Sequence, residues 1–153
     1  MSFLSALKSA LSSGAKEQNK EYGKSEDFLN AVCASCALVA YADGTLEDSE
    51  KKKAMEVLTG HTQLAALYQR AQIENALNTA LSHAQTASGK QELARELDRV
   101  LTLPNGSQMA EDVYLVALDV ASSNAHHSIG EDEQKVLDRL AKRLNVDTSK
   151  FEF

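Results

Sequence analysis

Phe28-Leu29-Asn30-Ala31-Val32-Cys33-Ala34-Ser35-Cys36-Ala37-Leu38-Val39-Ala40 runs through Tyr41 into Ala42-Asp43-Gly44-Thr45-Leu46-Glu47-Asp48-Ser49-Glu50, and this stretch decides the fold. Its first part is apolar, lacks the period-two alternation of a strand, and carries small residues at Ala31, Ala34, Ser35, Ala37 and Ala40. Small side chains let neighbouring helices come close, so the pattern predicts a central buried helix opening at Ser25-Glu26-Asp27 and ending near Tyr41. Asp43-Gly44 breaks it. Thr45, with Asp48 three residues on, reads as the cap of a second helix from Glu47 to about Leu58, with Ala54, Val57 and Leu58 inward. Lys51-Lys52-Lys53 reads as a solvated face of that helix.

A degenerate copy of this unit, residues 28–58, returns at residues 111–144. At an offset of 83, Ala34 meets Ala117, Ala42 meets Ala125, Thr45 meets Ser128, Leu46 meets Ile129 and Glu50 meets Glu133. Both copies read as a small-residue helix, a polar turn, a hydroxyl cap, an apolar residue and an acidic first turn. The second carries the fuller capping box, Ser128-Ile129-Gly130-Glu131, and predicts a helix from Gly130 to Leu144.

The remaining segments are helical as well. Phe3, Leu4, Leu7, Ala10 and Leu11 make one stripe on a short N-terminal arm, followed by a polar linker, together residues 1–24; the rest, 25–153, reads as one domain. Between the two copies, Thr62 to Gln72, Ile73 to about Ala87 and Gln91 to Leu103 each repeat apolar residues at three and four, with Ser88-Gly89 read as a break. Pro104-Asn105-Gly106 is strong turn chemistry, and Met109 to about Asn124 is the second long helix. Asp147 caps a last turn that ends in Phe151 and Phe153. One proline, seven glycines and no tryptophan fit this reading. The sequence therefore predicts an all-α bundle of about seven to nine helices, built from two pseudo-symmetric repeats.

Composition narrows the function. A net charge of −6 argues against nucleic-acid binding, which needs a basic face. No apolar run approaches the roughly 18 residues of a membrane span, and the Lys8-interrupted start is no signal peptide, so the expectation is a cytoplasmic protein. Cys33 and Cys36 have the spacing of a redox or zinc pair, but they fall in mid-helix with no second pair, and core packing is the better reading. There is no phosphate loop, no His-Glu-x-x-His and no Gly-x-Ser-x-Gly, so an enzyme has no positive support.

Two explanations compete for the acidic groups Glu47, Asp48, Glu50 and Glu131, Asp132, Glu133. Carboxylates in the first turn of a helix each stabilise it by about 0.3–1 kcal/mol. The same residues also suit a cation. Asp43, Gly44, Leu46 and Glu50 have the spacing of the second half of an EF-hand loop, although Val39 and Tyr41 stand where its first ligands belong. A complete EF-hand is thereby excluded. In the second copy His126-His127 replace Asp43-Gly44, with Asp119 upstream, a set that suits a transition metal or is simply solvated. His61 and His83 have no obvious partners in the sequence.

With these residues in view the chain resembles the tellurite-resistance TerB family. The resemblance rests on the Met1-Ser2-Phe3 start with its amphipathic arm, on Ala31-Val32-Cys33-Ala34 leading to Ala42-Asp43-Gly44 and Glu50, and on the second copy. Leu144-Asn145-Val146-Asp147 with Phe151 completes it. It implies a cytoplasmic, non-enzymatic stress-response protein, extending to a peripheral position at the inner face of the membrane. It further implies a divalent ion, calcium or zinc, held by Asp43, Glu47 or Asp48, and Glu50, with Glu131, Asp132 and Glu133 in the second half. An adaptor role toward other proteins of a tellurite-resistance system, one of them membrane-bound, follows from the same resemblance. The chain departs from the family at His126-His127, which argues against a symmetric second ion site or changes its metal. The alternatives are a metal-independent interaction scaffold or co-chaperone-like module, with the acids only as caps, and an oxyanion reductase dependent on Cys33 and Cys36.

Overall fold

A computed structural model describes residues 26–123 and 129–151. The expected N-terminal arm and linker, Ser25, Ala125, His126-His127, Ser128 and Phe153 lie outside the described residues. Among those described there are seven α-helices, one closing 3₁₀ turn and no strand. They are α1 (Asp27–Ala40), α2 (Asp48–Thr59), α3 (Thr62–Leu67), α4 (Arg70–His83), α5 (Ala87–Leu101), α6 (Gly106–Ala121) and α7 (Glu131–Arg143), then Thr148–Phe151.

The central helix is α1, as its small residues foretell. Phe28, Ala31, Val32, Ala34, Cys36 and Ala37 are fully buried, and α1 packs most extensively on α6, α5 and α4, with α7 and α2 also against it. Ser35 is the one buried polar residue on it, and its hydroxyl donates to the Val32 carbonyl at 2.8 Å, so that buried donor is met. Cys33 and Cys36 are free and buried. Burial pushes the Cys36 thiol up to about 12 and raises that of Cys33, so neither is a thiolate at neutral pH.

The duplication is visible in register. The α2 bounds Asp48 and Thr59 fall 83 positions before Glu131 and Lys142, which lie at the start and in the last turn of α7. Ala34 and Ala117 are both fully buried, and Leu46 and Ile129 both pack on the rim of the core. Tyr114 on α6 stacks on Phe151, with ring centroids 5.9 Å apart, fastening the closing turn to the bundle. Asp147 starts that turn, its Oδ1 accepting from Ser149 N–H at 3.1 Å and Ser149 Oγ at 2.6 Å.

Five local expectations are corrected. Thr45 is not the cap of α2. Its N–H and hydroxyl donate to Asp43 Oδ1 at 3.0 and 3.3 Å, while Glu47 is the N-cap and forms a reciprocal capping box with Glu50. The α7 helix likewise has Gly130, the counterpart of Glu47, as its N-cap, two residues after Ser128. The break expected between Gln72 and Ile73 falls at Tyr68-Gln69, because Gln69 and Gln72 form a second capping box that starts α4. Ser88-Gly89 is not a break but lies inside the first turn of α5, capped by Thr86 Oγ1 accepting from Gly89 N–H at 3.0 Å. Gly106 begins α6, three residues before the expected Met109. Gly89 and Gly106 serve one purpose: a Cβ at Gly89 would lie 1.9 Å from the His83 carbonyl oxygen, and one at Gly106 would lie 2.7 Å from that of Val100. Each glycine lets a helix start hard against the end of the one before it.

Candidate functional site

The two acidic turns meet at one cleft. After Ala40 the chain turns over Tyr41, and Gly44 N–H donates to the Tyr41 carbonyl at 2.9 Å. Gly44 sits at φ +87°, in the left-handed region where glycine carries no Cβ penalty. Asp43 holds the turn through Thr45, and the Glu47–Glu50 box then sets the first turn of α2, with Glu47 N–H donating to Glu50 Oε1 at 3.3 Å. Glu50 and Glu133 occupy the same third position of α2 and α7.

Asp43, Glu50 and Glu133 line a cleft of about 240 Å³ together with Lys53. Its apolar wall is Val39, Ala54, Val120 and Ala121, which tie it to α1, α2 and α6. The Glu133 carboxyl is raised above the usual glutamate range, first by burial and then by the negative charges of Glu50 and Asp43. That repulsion is the electrostatic signature of two sequence-distant acidic turns facing one space. Oxygen donors on an apolar wall suit a hard cation. Among the described residues, however, no three of His, Cys, Asp and Glu converge closely enough to hold an ion with the side chains as they stand.

The other acidic positions stand elsewhere. Glu47 is exposed and engaged in the capping box. Asp48 lines a separate shallow groove with Lys51, Lys52 and Arg70. Glu131 is exposed and faces Lys135 on its own helix at 3.8 Å, and Asp132 is exposed. His126 and His127 lie outside the described residues. Asp119 faces His61, Nε2 to Oδ2 at 3.8 Å, a pairing between α6 and the residue before α3. Burial raises the Asp119 carboxyl and His61 offsets part of that rise.

Sequence reasoning missed Lys53 and the wall from α6. Lys53 lies three residues after Glu50, hence on the same face of α2, and that spacing was a usable signal. No comparable signal linked Val120 to Asp43, because only packing of α6 beside α1 brings them together.

The fold and cleft define an all-α protein of duplicated helix pairs whose acidic N-terminal turns share one wall. The chain matches the family model described as tellurite resistance protein TerB over residues 29–153, and it belongs to that family. No curated protein and no solved structure matches the chain. The family is not a known enzyme family, and no described helix is long and apolar enough to cross a membrane.

Proposed function

We propose that this tellurite-resistance family member is a non-enzymatic adaptor governed by a divalent cation, bound in the cleft between the first turns of α2 and α7. The observation that carries the reading is the gathering of Asp43, Glu50 and Glu133 on one cleft, with Glu133 raised in part by the other two. A cation relieves that repulsion. The described donors are all oxygens, so calcium is the favoured ion over zinc. Side-chain rotation in the exposed turn brings the carboxylates onto it. Among the described residues Glu50 and Asp43 keep one oxygen each outside hydrogen bonds, since there only Glu50 Oε1 and Asp43 Oδ1 are engaged. Binding then alters the α2–α7 surface that other proteins of a tellurite-resistance system, one of them at the membrane, would read.

A second reading has its own support. Asp43 and Glu50 each complete a local turn or cap, and Lys53 supplies a positive charge within the cleft. In that reading the acids only build helix starts and the bundle is a metal-independent scaffold. Calorimetric titration of chelator-treated protein with calcium, magnesium, zinc and nickel decides between them. Saturable calcium binding that disappears in Asp43→Asn/Glu50→Gln supports the cation reading. Absence of binding by any of the four ions leaves the scaffold as the better account.

A further inference from the structure

A second groove of about 300 Å³ runs between α5 and α7, with Leu38, Tyr41 and Ala42 from the end of α1 beneath it. Its floor includes the buried Leu97 and Leu140. Its polar rim is cationic: Lys90, Arg139 and Arg143 line it, and no described acidic side chain does. In a chain of net charge −6 this is a local reversal of sign. Arg143 is held in place by Asp98, Nε to Oδ1 at 3.0 Å and Nη2 to Oδ2 at 2.9 Å. Lys90 and Arg139 are exposed and make no ion pair among the described residues.

We propose that this groove docks an acidic amphipathic helix of a partner protein. The helix lays an aliphatic side chain over Leu97 and Leu140 and sets its carboxylates against Lys90 and Arg139. Two helical walls over an apolar floor suit helix-in-groove recognition, and the uncompensated cations select the sign of the partner. The chain's own residues 1–24 carry four lysines and two glutamates, so their charge does not complement this rim. An anionic membrane is the poorer fit, because surface binding draws on a broad basic face rather than on two free cations around a concavity.

The test is fluorescence anisotropy of the full chain with a labelled model helix carrying leucines on one face and glutamates beside them. Saturable binding is expected, weakened at least about tenfold by Lys90→Glu/Arg139→Glu, while Lys52→Glu, the same reversal on α2, changes it less than about twofold. Both rim positions are exposed, and circular dichroism confirms that the double variant folds. Amide chemical-shift changes on titration are expected to cluster on α5, α7 and residues 38–42. No saturable binding overturns the proposal, as does binding indifferent to the double reversal. Sedimentation of the chain with phosphatidylserine vesicles, without peptide binding, overturns it in favour of a lipid surface.

Discussion

Replacing Gly89 with alanine is expected to reverse the usual sign of a helix substitution. Within a helix alanine is favoured over glycine by about 0.8–1 kcal/mol. Here the added Cβ would lie 1.9 Å from the His83 carbonyl oxygen, 2.6 Å from its carbon and 2.8 Å from its Cα. All three are backbone atoms at the end of α4, so no flexible side chain can move aside. Restoring a contact of 3 Å requires the α4–α5 corner to open by roughly 1 Å, and overpacking of that kind costs about 1–3 kcal/mol. The opening also stretches the bond from Gly89 N–H to Thr86 Oγ1, now 3.0 Å, and loss of such a cap costs about 1 kcal/mol. With the propensity gain subtracted, a net destabilisation of about 1–3 kcal/mol remains. For a domain of this size that lowers Tm by roughly 3–12 °C. Thermal and urea unfolding followed by far-UV circular dichroism measure it. Gly130→Ala is the control, because among the described residues its Cβ would meet only Glu133 Oε1 at 3.6 Å, an ordinary contact. A Gly89→Ala protein as stable as the wild type would refute the reasoning.

Glu133→Gln is expected to flatten part of the pH dependence of stability. A carboxyl raised in the folded state binds protons there that the unfolded chain has released, so stability falls as pH rises from the ordinary glutamate value of 4.5 through the raised one. Urea midpoints measured across that window should converge on acidification and diverge above it, the glutamine variant being the more stable at neutral pH. Identical midpoints throughout would remove the charge repulsion on which the cation reading rests. Neither Cys33 nor Cys36 should react with a thiol reagent in native protein at pH 8, and both should react once the chain is unfolded. Rapid native reaction would show that α1 is not closed in the bundle. His61→Gln should raise the Asp119 carboxyl further, since the imidazole is what lowers it, and a carbon-detected NMR titration reads the change. A lowered value would mean that the contact does not hold in solution.

The fold was legible where side-chain pattern and burial coincide. The small-residue run of α1 announced the central helix, and the 83-residue offset announced that α7 would begin as α2 does. Less legible were the helix starts. Gly89 and Gly106 read as breaks because a glycine's preference for turns is local, whereas the need for a missing Cβ comes from the preceding helix. Thr45 had the chemistry of a cap, but Asp43 claimed its hydroxyl and left the cap to Glu47. At the candidate site the sequence supplied two acidic clusters but not their division of labour. Only the packing of α2 and α7 around α1 separates Glu50 and Glu133, on the cleft, from Asp48 and Glu131, away from it. The pairing of His61 with Asp119 crosses between elements and leaves no trace in spacing.

The place of α1 also bears on how the protein is made. It is the first of the described helices to leave the ribosome, yet its most extensive packing is on α6 and α5. Until the chain through α6 has been synthesised, Phe28, Val32 and Leu29 have no complete core to enter. The nascent protein therefore carries the most apolar of its described helices incompletely covered until α6 has emerged, and closure of the bundle waits on the second copy of the repeat.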